Sequence, residues 1–219
     1  MKIAVLGTGM VGETVASKLV ELGHEVRMGS RTATNEKASA WVKKAGAKAS
    51  AGTFADAAAF GALVFNCTLG SGSVEALVMA GEQNLEGKTI VDVSNPLDFS
   101  KGMPPSLFVG NTDSLGEQLQ RRFPKAHVVK ALNTMNCNIM VNPRLLPDSH
   151  HTFLAGNDAG AKAQVKSLLS EFGWKSDEVL DLGDITNARG CESVLPIWIR
   201  IWGATKNGAF NFKIVAAKS

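Results

Sequence analysis

The stretch VLGTGMVG, Val5 to Gly12, constrains this chain more than any other. Lys2 to Leu6 reads as a buried strand, and the apolar periodicity over residues 10 to 22 reads as a helix. Three glycines, Gly7, Gly9 and Gly12, lie between the two. Each glycine has a separate steric task. Gly7 permits the tight turn, Gly9 lets a ligand approach the backbone, and Gly12 lets helix and strand pack closely. The free N–H groups around Met10 and Val11 then face an anion at the positive end of the helix. Because a strand precedes the loop and a second strand follows about one helix later, the pattern is a dinucleotide site.

Beyond that loop, short apolar runs alternate with amphipathic or alanine-rich ones. Strands are expected at 24–28, 47–50, 62–68, 88–94 and 126–132. Helices are expected at 34–46, after residue 52, at 73–83 and at 114–123. Past residue 140 come a strand at 151–156, a helix at 159–173 and a strand within 176–183. A long apolar-faced helix over 184–205 follows, capped by Asp184 or Thr186 and kinked by Pro196. Such alternation predicts an α/β fold, a Rossmann-type doubly wound and mostly parallel sheet. The expected organisation is a single domain over 1–219. Its dinucleotide-binding core is 1–140, and 141–219 is a helical C-terminal elaboration.

A carboxylate at the end of the second strand would accept the adenosine ribose hydroxyls of NAD and repel a 2′-phosphate. Here the strand ends in Gly29, Ser30, Arg31 and Thr32. Arg31 offers a cationic fork, and Ser30 and Thr32 offer hydroxyls. Two or three partly solvated bonds of roughly 1.5–3 kcal/mol each predict about a hundredfold preference for NADP over NAD. Lys37 reads as a helix-surface lysine. The expected cofactor is NADP(H).

Nicotinamide cofactors transfer hydride, so a partner for the hydride is needed. The chain has no tyrosine, which excludes a Tyr–Lys proton relay. Of its histidines, His24 and His127 read as surface residues, and His150 and His151 have no partner at a readable spacing. Lys130 lies near the ligand edge of its strand with its direction open. The loops at the strand ends, CTLGSG, SNPLD and NTMNCN, carry Asp98 and little else that titrates. Such a site fits an acceptor that takes hydride onto a conjugated ring, a flavin or a deazaflavin, with the protein mainly orienting two planar rings.

Charge and cysteines narrow the classes further. The net charge is +3 with interspersed signs, which gives no nucleic-acid footprint. Cys67, Cys137 and Cys191 are an odd, widely spaced set, which points to free thiols and to no zinc site. The first apolar run stops at Gly7 and the stretch VLPIWIRIW is too short for a membrane span. A cytoplasmic protein with no membrane partner is the expectation.

Four segments together, KIAVLGTGMVG, GHEVRMGSR, VVKALNT and SVLPIWIRIWGATKNGAFNFKIV, resemble the NADPH-dependent deazaflavin (coenzyme F420) oxidoreductases, a family related to the NADPH-binding domain of the STEAP metalloreductases. The resemblance spans residues 1 to about 215. It implies that Thr8, Met10 and Val11, beside the motif glycines Gly7, Gly9 and Gly12, line the pyrophosphate and nicotinamide side. It places Ser30 and Arg31, next to Thr32, at the 2′-phosphate, and Thr68, Leu69 and Ala131 at the ribose or nicotinamide. Asn133 and Met135 would face the deazaflavin. Two departures fall on that acceptor side. Asn133 stands where the family tends to carry a histidine, and CTLGSG lacks the family's proline–aromatic pair. The resemblance also implies a homodimer, for which the helix bearing Trp198, Ile199, Ile201 and Trp202 is a suitable interface. Two alternatives stay open: an NADPH-dependent reductase of small imines or carbonyls, and a non-enzymatic NADP(H) sensor.

Overall fold

A computed structural model of the chain describes residues 1–217. The glycine loop lies where the sequence puts it, between β1 (Lys2–Leu6) and α1 (Met10–Glu21). Then come β2 (Glu25–Ser30), α2 (Glu36–Ala45), β3 (Ala49–Thr53), α3 (Phe54–Phe60), β4 (Leu63–Asn66), α4 (Gly70–Ala80), the single turn α5 (Glu82–Leu85) and β5 (Thr89–Asp92). A small hairpin, β6 (Leu97–Asp98) and β7 (Ser106–Leu107), precedes α6 (Leu115–Arg122), β8 (His127–Ala131) and α7 (Cys137–Val141). The chain continues through β9 (Thr152–Gly156), α8 (Ala159–Glu171), β10 (Val179–Asp181), α9 (Ala188–Ser193) and α10 (Leu195–Thr205).

One sheet carries the molecule, in the order β10-β9-β8-β5-β4-β1-β2-β3. The chain winds outward from β1 through β2 and β3, then crosses back to β4. The topological switch point is therefore between β1 and β4, where open α/β sheets bind ligands. The central strands β4 and β5 are buried along their lengths because both faces are covered, whereas β3, at the sheet edge, is mostly half-buried. One face packs Val15, Leu19, Trp41, Leu168 and Phe172. The other packs Phe54, Leu77, Leu85, Leu115 and Leu119. Burial of this kind contributes roughly 1.5–3 kcal/mol per large aliphatic side chain.

The sheet is not parallel throughout. β9 runs antiparallel to β8, with Ala131 opposite Leu154 and Val129 opposite Gly156, and β10 follows β9. That reversal brings the residues just before β9, His150 and His151, to the same edge as the loop after β8. The helix expected over 184–205 is also divided. A 3-10 turn at Ile185–Asn187 leads into α9, and Val194 separates α9 from α10. Pro196 thus lies in the first turn of a new helix, where its missing N–H has no intrahelical partner to lose.

Histidine 24 is not a surface residue. It is buried, with Nδ1 3.1 Å from the N-terminal amine and Nε2 2.9 Å from Glu171 Oε2. His127 is partly exposed, as expected.

Candidate functional site

Two helices open toward the switch point without a side-chain cap. α1 begins at Gly9 and α4 at Leu69, and neither residue offers a capping hydrogen bond. By contrast Asn35, Thr53, Ser114 and Asp158 cap α2, α3, α6 and α8 through their side chains. The first N–H groups of an uncapped helix remain available to a ligand, with the helix dipole behind them. Both ends line one cleft of about 480 Å³, together with Ser30, Arg31, Asn35, Thr68 and Glu75.

The glycines fit a dinucleotide for a steric reason. Gly7 has φ +116°, and a Cβ there would meet Cys67 O at 2.6 Å. A Cβ on Gly12 would fall 2.1 Å from Gly7 O. At Gly9 a Cβ would meet nothing within 4 Å, so the open space beside this backbone is what a pyrophosphate approach needs. Thr8 and Val11 are half-buried beside it. Leu69, 62% exposed, is an apolar lip of this cleft, whereas the side chain of Met10, 73% exposed, lines a neighbouring depression with Thr14, Val141 and Asn142.

At the adenosine end, Arg31 projects from the end of β2 with its side chain 68% exposed. Its Nη2 is 3.9 Å from Glu75 Oε2. Ser30 departs from expectation. Its hydroxyl donates to Thr32 O at 2.6 Å, so that proton shapes the loop and is not free for a phosphate. Thr32 is exposed and Lys37 lies on the helix surface.

The strand-end side holds a buried charge network that sequence reading did not assemble. Lys130 is fully buried. Its ammonium lies 2.5 Å from Asp92 Oδ2, 2.8 Å from Glu192 Oε1 and 2.9 Å from Ser94 O, which uses all three of its donors. Burial opposes the charge on Lys130, but Asp92 and Glu192 outweigh it and raise its pKa above the ordinary lysine value. Glu192, from α9, also accepts the backbone N–H groups of Leu115 and Gly116 at the start of α6. Arg189 clamps the same two helices through a bidentate pair with Glu117 at 2.8 and 2.6 Å.

Hydrogen-bond polarity passes from this network into the cleft. Asp92 Oδ1 can only accept, so the Asn66 amide turns its nitrogen toward it at 2.9 Å. Asn66 Oδ1 then accepts the Thr68 hydroxyl at 2.7 Å. With its proton committed there, Thr68 is the acceptor in its 2.8 Å contact with Ser73. The cleft therefore meets the one remaining lone pair of Thr68, suited to a ribose hydroxyl or an amide N–H.

The residues expected to face the acceptor are covered. Asn133 is 2% exposed and Met135 5%. Asn133 Nδ2 donates to Asn95 Oδ1 at 2.8 Å and to Cys191 O at 3.0 Å, which ties the loop after β8 to α9. Ala131 is fully buried within β8. Leu132, next in the chain, has φ +62°, a strained conformation for a branched side chain at a ligand edge. Asp98 caps its own loop, accepting from Ser100 N at 2.9 Å, and that bond holds its pKa below the ordinary carboxylate value.

His150 and His151 do have partners, supplied from sixty residues further along the chain. The tail after α10 returns across them: Asn211 Nδ2 lies 2.8 Å from His150 Nδ1, and Ile214 N donates to His151 Nδ1 at 3.0 Å. Phe210 stacks on Trp198 at 5.2 Å. The three cysteines are free, and burial pushes the Cys191 thiol up to about 11 and the Cys67 thiol up. Among the described residues there is no cluster able to hold a metal ion, and no helix is long and apolar enough to cross a membrane.

Comparison with known proteins agrees with this geometry. A family profile described as NADP oxidoreductase coenzyme F420-dependent matches residues 2–96. A protein from Arthrobacter sp. FB24, provisionally assigned as an F420-dependent NADP reductase, has a crystal structure that superposes with TM-score 0.92. It is 52% identical, over 99% of this chain and 100% of its own. The rat metalloreductase STEAP3 is 28% identical over 202 residues, 90% of this chain; the chain spans 38% of that relative's length. A reductive aminase from Aspergillus terreus in complex with NADPH and ethyl levulinate shares the fold, with TM-score 0.65. It is 22% identical over 93% of this chain and 62% of its own.

Proposed function

This chain belongs to the family of coenzyme F420-dependent NADP oxidoreductases, and from that premise we propose that it moves hydride between NADPH and a deazaflavin or flavin acceptor. The observation that carries the reading is the cleft at the β1/β4 switch point. Two uncapped helix ends and an open Gly9 face it, and Arg31 is its cation. When bound, the nicotinamide supplies a hydride donor and the acceptor ring delocalises the electron pair it receives.

The chain's own part is to bind and orient. Gly7, Thr8, Gly9, Met10, Val11 and Gly12 hold the pyrophosphate by backbone N–H groups and close approach. Arg31 takes the 2′-phosphate, with Thr32 beside it. Thr68 accepts from the ribose or the carboxamide, with Leu69 as the apolar wall and Ala131 in the strand floor. No general acid or base is required of the side chains for a ring acceptor of this kind. Asn133 and Met135 shape the acceptor end from behind and touch no ligand directly while they remain buried. The exposed Ile197, Trp202, Ile214 and Val215 support a homodimer interface along α10 and the tail.

The decisive assay follows NADPH absorbance with deazaflavin, FMN, FAD or ferric chelate as acceptor, with NADH in parallel. Oxidation of NADPH by a deazaflavin or flavin, with little oxidation of NADH, is expected. Silence with every acceptor, alongside tight NADPH binding, would overturn the enzymatic reading in favour of an NADP(H) sensor. Arg31→Ala should weaken NADPH by about tenfold to a hundredfold, as expected for loss of hydrogen bonds to a charged group. An equal loss for NADH would remove Arg31 from the phosphate.

A further inference from the structure

We propose that Glu75 is a specificity-determining residue, a competitor for Arg31 built into the cleft that weakens binding of 2′-phosphorylated cofactors and leaves NAD(H) untouched. The inference rests on the reading that Arg31 holds the 2′-phosphate. Among the described residues that line the cleft, Arg31 is the one cation and Glu75 the one carboxylate. They come from opposite walls, Arg31 from the end of β2 and Glu75 from the second turn of α4. Their charged ends lie 3.9 Å apart, and both side chains are about two-thirds exposed, at 68% and 67%. Arg31 lies against the first turn of α4: a Cβ built on Gly72, one turn before Glu75, would be in ordinary contact with the guanidinium at 3.7 Å.

A phosphate that pairs with Arg31 must therefore displace Glu75 or share the guanidinium with it. If it shares, two anions lie within roughly 8 Å of each other, about one Debye length at physiological ionic strength. Either way the carboxylate opposes the phosphate, and it does so more strongly at low salt. NAD(H) has a hydroxyl at that position and meets no such opposition. The arrangement lowers affinity for NADP(H) without abolishing it and favours release of the cofactor after hydride transfer.

Glu75→Gln tests this, because it removes the charge from an exposed helix position and keeps the shape and helix preference of the side chain. Dissociation constants for NADPH and NADH would be measured at low and at high salt, for this variant, the wild type and Arg31→Ala. The expected result is NADPH binding tightened about threefold to fivefold at low salt, a gain that shrinks at high salt, and unchanged NADH binding. Unchanged or weakened NADPH binding would overturn the proposal, weakened binding meaning that Glu75 orients the guanidinium for its ligand. Arg31→Ala separates the two readings. If it weakens both cofactors equally, the phosphate assignment itself fails. If it is selective for NADPH while Glu75→Gln has no effect, only the role of Glu75 falls.

Discussion

The cleft and the buried network behind it use the same kinds of charge in opposite ways. At the adenosine end Arg31 and Glu75 are exposed, 3.9 Å apart, and free to change partners. At the strand ends Lys130, Asp92 and Glu192 are at most 1% exposed, and every ammonium donor has a fixed acceptor. Exposed pairs are worth about 0–1 kcal/mol, so they can be traded for a ligand at little cost. A buried set is different, because removing one member strands the others without water. The first is reactive to what binds, and the second holds hydrogen-bond directions constant whatever binds.

The largest effect should come from breaking the buried network. Lys130→Met leaves two carboxylates without their cation and should cost about 3–5 kcal/mol of stability, measured by denaturant unfolding; a loss below about 1 kcal/mol would mean that water or protonation replaces the lysine easily. The raised pKa of Lys130 adds a sign to this. Its contribution is complete below the ordinary lysine range and is lost only as pH rises through the elevated value. Thr68→Val comes next. It keeps the shape but takes from the cleft its acceptor and from buried Asn66 Oδ1 its hydroxyl donor, so NADPH affinity should fall by about 0.5–1.5 kcal/mol and stability by about 1–3 kcal/mol, and Thr68→Ser should restore both.

Asp113 supplies a smaller, pH-dependent contrast at the surface. Hydrogen bonds from Arg121 hold its pKa down at about 2. A depressed carboxylate stabilises the fold above its unfolded value near 3.9 and loses that contribution as pH falls toward the folded value. Arg121→Ala should accordingly flatten the acid limb of the stability curve between about pH 4 and pH 2, and an unaltered limb would show that the pair contributes nothing. Smallest of all, Lys125→Ala breaks an exposed 2.9 Å pair with Glu86 and should change stability by about 0–1 kcal/mol.

The legibility of these regions in the sequence follows their range. The glycine loop, the strand it follows and the Arg31 position are local patterns, and the structure places them as the sequence reads. β3 and β4 lie within a few residues of their expected limits. The sequence also carries one long-range signal: IVDV and VVKA are apolar strands that each carry one charge, of opposite sign, near the same end. Two neighbouring buried strands with such residues imply a pair, and Asp92 opposite Lys130 in the β5–β8 register is that pair. Nothing local marks Glu192 as its third member, 62 residues beyond Lys130 in the sequence. The reversal of β9 was equally hidden, since a strand's own pattern does not state its direction. That reversal explains how His150 and His151 reach the tail and why they looked unpartnered. The division at Val194 has no local signature, because apolar periodicity runs through it unbroken.

The four tryptophans occupy four different surroundings, and the chain has no tyrosine to mask them. Trp41 donates to Ser17 within the core, and Trp174 donates to Met140 O beneath His150. Trp198 stacks on Phe210 of the tail, while Trp202 stands half in solvent. Intrinsic emission is thus a built-in optical readout with separable channels: unfolding of the sheet moves the light from Trp41 and Trp174, and lifting of the tail moves that from Trp198 and Trp202, which both lie beside Gly208.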